Sequence, residues 1–225
     1  ALGGDLWFGG QDGTLTYYSK FNGRLSVRKL RLPDNSLNSS AVWSLFQDSR
    51  HRFWVGTANA LYFFDERDNN LRLVKKNLSV VRCITETSDR SIWAGTDNGL
   101  FRFDTTAAGK MMIRKGYEHQ LPHLSDYSVR SVLAASDKNI YVGYAGGLAI
   151  VNPKENKVIS LFTTKDGLSN NFVGCIANDD KGHIWIGNAS SISRFSRHQH
   201  IFYNYYISGN NRSVMFMDRT LFFGN

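Results

Sequence analysis

At 225 residues, with 13% aromatic residues, 20 Gly and only 3 Pro, the chain can bury a substantial core as a single all-β domain, and it has no apolar run near membrane-spanning length. The formal charge of +8 comes from 27 Lys and Arg against 19 Asp and Glu and permits an anionic partner, but the basic residues are scattered and no nucleic-acid motif accompanies them, so nucleic acid is not expected. Cys83 and Cys175 occupy equivalent places in non-adjacent repeats, too far apart to bridge, and read as two small buried hydrophobes.

One motif recurs along the whole chain: an apolar residue, an aromatic, one further residue and a glycine. It appears as Leu6-Trp7-Phe8-Gly9, Phe53-Trp54-Val55-Gly56, Ile92-Trp93-Ala94-Gly95, Ile140-Tyr141-Val142-Gly143, Ile184-Trp185-Ile186-Gly187 and Leu221-Phe222-Phe223-Gly224. The aromatics are 47, 39, 48, 44 and 37 positions apart. A strand-rich repeat of roughly 40–50 residues is the signature of a β-propeller blade.

Each full copy divides into four strands. The first is a β-branched, apolar run at 41–47, 80–85, 128–134 and 172–177. A polar hairpin turn follows, then the aromatic-x-Gly strand, with Trp7 and Gly9, Trp54 and Gly56, Trp93 and Gly95, Tyr141 and Gly143, and Trp185 and Gly187 as its structural signature. A glycine so placed predicts close approach of another backbone or a large ring, with the aromatic filling the space between blades. The third strand begins at Leu15, Leu61, Leu100, Leu148 and Ile192, and Asp97-Asn98-Gly99 is the clearest tight turn before it. The fourth, variable strand spans 24–30, 71–75, 110–115, 157–162 and 201–206, where basic residues discourage pairing with other chains.

The expected organisation is one propeller region over 1–225, with a partial blade at 1–31, blades at about 41–75, 80–115, 128–163 and 172–206, and a partial blade at 212–225. Three strands in the opening copy, four in each full copy and two in the last make 21, one more than a closed five-bladed ring requires. The expectation is therefore an incomplete portion of a larger, seven-bladed propeller. The chain opens inside a repeat, with no basic stretch followed by an apolar one, so no targeting segment is expected in it.

The run Thr164-Lys165-Asp166-Gly167-Leu168-Ser169-Asn170-Asn171-Phe172-Val173, leading into Asp179-Asp180-Lys181-Gly182-His183-Ile184-Trp185-Ile186-Gly187, resembles the regulator-propeller repeat. So does Leu37-Asn38-Ser39-Ser40-Ala41-Val42-Trp43-Ser44-Leu45-Phe46-Gln47-Asp48 leading into Trp54-Val55-Gly56-Thr57. That repeat is typical of the extracytoplasmic sensor region of Bacteroides-type hybrid two-component histidine kinases. Tyr141 in place of Trp, Tyr144 after the glycine and Phe222 in place of Trp depart from the pattern. The resemblance implies a periplasmic, non-catalytic sensor, homodimeric in the full-length protein, that takes an oligosaccharide ligand and signals to a kinase outside this chain. Membrane attachment would come only through segments absent here. The +8 charge favours an acidic glycan.

No nucleophile elbow, His-Glu-x-x-His, Cys-x-x-Cys or glycine-rich phosphate loop occurs, and no catalytic residue, cofactor or metal is expected. The stretch from Asn178 to Trp185 looks like the Asp-box turn of sialidases, which is structural there. His198 and His200, two apart on a strand, lack a third ligand at useful spacing. The ligand expectation falls on the long loop before the fourth copy's first strand, where Tyr117, His119, His123, Asp126 and Tyr127 mix rings with polar donors as sugars require. Its apolar members could equally cap their own blade. The loops at 33–40 and 165–171 are expected to shape blade junctions. Alternatives to a sensor are a protein-interaction or dimerisation scaffold and a polysaccharide hydrolase or lyase.

Overall fold

A computed structural model describes residues 6–29, 41–65, 70–105, 111–114, 128–188, 190–206, 213–217 and 220–224. Among them are 21 strands and one short 3-10 turn, Thr164–Asp166. The strands form six antiparallel sheets in strict chain order. The first holds β1 (Leu6–Gly9), β2 (Thr14–Ser19) and β3 (Arg24–Lys29). The second holds β4 (Val42–Gln47), β5 (Arg52–Thr57), β6 (Ala60–Asp65) and β7 (Asn70–Lys76). The third holds β8 (Val81–Glu86), β9 (Ile92–Thr96), β10 (Gly99–Thr105) and β11 (Met111–Arg114). The fourth holds β12 (Val129–Ala134), β13 (Ile140–Tyr144), β14 (Gly147–Asn152) and β15 (Lys157–Phe162). The fifth holds β16 (Cys175–Asn178), β17 (Ile184–Gly187), β18 (Ser191–Ser196) and β19 (Ile201–Tyr206), and the last is the pair β20 (Ser213–Met217) and β21 (Thr220–Gly224).

The first strands β4, β8, β12, β16 and β20 neighbour one another in turn, whereas each sheet's last strand lies at its far edge. Sheets fanned from a common inner edge are blades, and the architecture is a β-propeller. Each of the four junctions among the first five blades carries its own core. Trp54 packs with Ile92, Ala94 and Phe103 of the next blade, Trp93 with Val129, Ile140 and Val142, and Tyr141 with Ile184, Ile186 and Phe195. The second strands are covered on both sides, which is why β9 and β13 are buried throughout and read as continuous apolar runs.

The recurrent glycine has a different cause from the one expected. Its neighbour across the blade junction is not a ring but a valine at the head of the next blade's first strand, while Gly56 and Gly95 also face Ser44 Oγ and Cys83 Sγ of their own blades. A Cβ on Gly9, Gly56, Gly95 or Gly143 would sit 2.4, 2.7, 2.5 or 2.4 Å from Cγ1 of Val42, Val81, Val129 or Val173 respectively. Val42 and Val173 also donate backbone N–H bonds to Gly10 and Tyr144 of the preceding blade, at 3.0 and 3.1 Å. In the fifth blade β16 starts at Cys175 rather than near 172, two residues beyond Val173.

The hairpins from first to second strand reuse one device. Asp48, only 4% exposed, accepts N–H bonds from Arg50 and Arg52 on Oδ1, and the Trp54 indole N–H at 2.8 Å on Oδ2. Asp179 does the same with Lys181, His183 and Trp185, the indole bond being 3.0 Å, so the stretch that looks like an Asp box is a structural turn. In the fourth blade Ala135 replaces the aspartate. There Asp137, two residues on, takes the Tyr141 hydroxyl at 2.8 Å, which accommodates the Tyr-for-Trp departure. Burial alone would raise the carboxyls of Asp137 and Asp179, but these hydrogen bonds outweigh it and hold both below the ordinary range. A carboxylate depressed in the folded state contributes stability that is complete above its unfolded pKa, about 3.9, and is lost as pH falls through the folded value. Melting temperature should therefore be flat from pH 7 to about 5 and drop below about 4, with Asp179→Asn flattening the drop in acid thermal melts.

The fourth residue of each turn is left-handed: His51 at φ 63°, Arg90 at 65°, Lys138 at 66° and Gly182 at 79°. Only the last has a residue suited to it. Replacing His51, Arg90 and Lys138 together by Gly relieves three strained positions, less the entropy that Gly adds to the unfolded chain. The expected net gain is about 0.5 kcal/mol per site, measured by chemical denaturation, and a loss would contradict it.

Candidate functional site

The first strands share an irregularity at the end where the chain enters them. Val42 pairs with Thr57 and Ser44 with Gly56, so Trp43 is an extra residue in the ladder. Arg82 is the extra residue between Val81 and Cys83, and Arg130 the one between Val129 and Ser131. Such a bulge frees one side chain from both faces of the sheet and re-aims it. The valine before each bulge is pinned against the preceding blade's glycine, and the small residue after it returns to the ladder. Trp43, Arg82 and Arg130 therefore stand at matching places on the inner strands of three successive blades.

Their contacts form one continuous array. The Arg82 guanidinium lies 5.3 Å from the Trp43 ring centroid, within cation–π range. It is also paired with Asp97, in the β9–β10 turn, through Nε to Oδ1 and through its terminal nitrogen to Oδ2 at 2.6 Å. Ser128 donates to Asp97 Oδ1 at 2.5 Å. Burial would raise the Asp97 carboxyl, but the Arg82 and Ser128 bonds, with the field of Arg130, hold it down and ionised. Arg130 lies 5.6 Å from the ring of Phe172 in the loop entering the fifth blade. Trp43 is 52% and Phe172 41% exposed, so both rings are available to a partner.

Phe172 is held by a network of small polar groups. Its N–H donates to Asn170 Oδ1 at 2.8 Å, and Asn171 Oδ1 accepts from Thr164 at 2.7 Å. Ser169 accepts from Asn188 and Ser191, both at 2.8 Å, and meets Ser193 at 2.7 Å. Asn188, Ser191 and Ser193 are essentially solvent-free, so the loop is tied to the core of the fifth blade.

Of the residues proposed from sequence, Tyr117, His119, His123, Asp126 and Tyr127 all lie outside the described residues, immediately before Ser128. Trp43, Arg82, Arg130 and Phe172 were not singled out. Their signal was present as a variable residue between a fixed Val and a small Ser or Cys, at Val42-Trp43-Ser44, Val81-Arg82-Cys83 and Val129-Arg130-Ser131. His198 and His200 are not on a strand but in the β18–β19 turn, where His200 has φ 54° and its ring stacks on Phe195 at 6.0 Å. Among the described residues no three His, Cys, Asp or Glu side chains are grouped to hold a metal. Cys83 and Cys175 are both free, and burial pushes their thiols up to about 12 and about 11, away from nucleophilic thiolate chemistry.

Blades fanned from inner strands, with an aromatic and arginine array at one end of those strands, define a propeller. Residues 36–59 and 167–190 each match the two component regulator propeller family, so the chain carries two-component regulator propeller repeats. No curated protein matches the sequence. The extracellular domain of a hybrid two-component system from Bacteroides thetaiotaomicron shares the fold with a TM-score of 0.78 at 22% identity, over 100% of this chain and 31% of that one. A catalytically inactive virginiamycin B lyase from Staphylococcus aureus, solved with quinupristin, gives 0.79 at 16% identity, over 100% and 74%. PorZ of Porphyromonas gingivalis, a surface component of the type-IX secretion system, gives 0.76 at 11% identity, over 95% and 35%. The chain thus spans under a third of the length of the first of these. No helix among the described residues is long and apolar enough to cross a membrane.

Proposed function

We propose that this chain is part of the periplasmic sensor region of a hybrid two-component histidine kinase, non-catalytic in itself, which binds an oligosaccharide and relays its presence across the membrane to a kinase outside these residues. The match of residues 36–59 and 167–190 to the regulator-propeller family carries the reading. The inner-strand array supports its ligand half, because exposed rings beside fixed cations and hydroxyls suit sugars, whose CH faces stack and whose hydroxyls take hydrogen bonds. Trp43, Arg82, Arg130 and Phe172 form the floor of this site. Tyr117, His119, His123, Asp126 and Tyr127, which lie outside the described residues, are proposed from their chemistry alone as further ligand contacts. In the full-length protein the region acts as a homodimer, and ligand binding shifts the placement of its domains.

Thermal-shift screening of the complete extracytoplasmic region, beside this chain, against neutral, uronic-acid and sulfated oligosaccharides tests the proposal. A selective rise in melting temperature in both samples is expected. No shift in either across the whole panel would overturn it.

A further inference from the structure

We infer that Arg130 reads a negative charge on the ligand, so that the oligosaccharide carries a carboxylate or sulfate next to a ring that stacks on Phe172; this rests on the glycan-binding reading above. The two bulge arginines occupy the same repeat position but differ in their commitments. Arg82 is paired through two nitrogens with Asp97, and its charge is answered within the protein. Arg130 has no hydrogen bond or ion pair among the described residues, and its buried Nε lacks an acceptor. It is held by the Phe172 ring at 5.6 Å, and Asp97, the carboxylate whose field it shares, is already engaged by Arg82 and Ser128. A guanidinium positioned by an aromatic face, without a bonded counter-ion, keeps its planar donor fork for an incoming anion. Neutral sugars would leave that charge unanswered, while a carboxylate or sulfate pairs with it directly. The Arg82–Asp97–Ser128 cluster then serves as a fixed wall, with Trp43 as a second exposed stacking surface.

The test is calorimetric titration of this chain with two matched pairs of probes. One pair is trigalacturonic acid and its methyl ester, and the other is a sulfated galactotriose and its unsulfated parent. At least one anionic probe should bind about tenfold or more tightly than its neutral partner, and the pair that responds identifies carboxylate or sulfate. Arg130→Gln should abolish that preference without changing the melting temperature of the free protein, and Arg130→Lys should restore part of it. A preference that survives Arg130→Gln, or equal binding of charged and neutral probes, overturns the role of Arg130 while leaving glycan sensing intact. Absence of binding by all four probes to the parent chain overturns both. If Arg130→Gln does not fold, the Arg130→Lys comparison decides, since loss of bidentate geometry should still weaken the anionic probe alone.

Discussion

Trp54→Ala is expected to lower stability by about 3–5 kcal/mol, measured by urea denaturation. The indole is fully buried, and it fills the junction between the second and third blades against Ile92, Ala94 and Phe103. Its removal opens a cavity at a place that cannot collapse, because Gly56 and Val81 already fix how closely the blades approach. The lost bond to Asp48 adds to the cost, although Asp48 keeps the Arg50 and Arg52 backbone donors and the Arg52 side chain. Trp54→Phe separates the two effects: most of the filling stays and the indole bond goes, with an expected loss of about 1.5–3 kcal/mol. A Trp54→Ala loss below about 1 kcal/mol would mean that the blade interface is held from elsewhere.

Arg102→Ala is the second large loss, at about 3 kcal/mol. This residue is only 8% exposed. It binds Asp104 at 2.8 Å, Asp89 at 2.9 Å, Ser91 at 3.0 Å and the Pro153 carbonyl of the next blade, with its guanidinium 5.4 Å from the Trp93 ring. In this blade Thr87 stands where the second and fifth blades have Asp48 and Asp179, and Arg102 supplies the link between turn, tryptophan and neighbouring blade. The figure sits at the low end of the range for breaking a buried pair because the Asp89 side chain is 47% exposed and can rehydrate, whereas that of Asp104 is 15% exposed. Removing charge on both sides, with Arg102→Met and Asp104→Asn together, should cost less than Arg102→Ala alone. Equal or greater loss in the double variant would show that the network is net stabilising.

What repeats in the chain was readable from it. The aromatic-x-Gly strand recurs because each copy solves the same packing problem, and the strand order that this periodicity implied is the order observed. The partner of the glycine was misjudged because it comes from the next copy, 25 residues on for Gly56 and Val81, and nothing near Gly56 in sequence points to Val81. Arg102 was missed because, set between Phe101 and Phe103 in an otherwise apolar stretch, it gives no hint in sequence that an arginine faces inward. The inner-strand array was hidden because it depends on ladder register. Bulges at Trp43, Arg82 and Arg130 break the two-residue alternation, so these side chains look like ordinary strand positions until the ladder registers are known. Long loops attract attention in a sequence, and they drew the site expectation to 115–127, which lies outside the described residues.

The central claim, that ligand is taken at the inner ends of the first strands, is tested most directly through Trp43. It is the most exposed tryptophan among the described residues, since Trp54 and Trp93 are fully buried and Trp7 and Trp185 partly so. Any oligosaccharide that raises the melting temperature of this chain should change the tryptophan emission, and the change should disappear in Trp43→Phe while the other four tryptophans remain. A thermal shift of full size with no Trp43-dependent change in emission would place the ligand elsewhere and contradict the account.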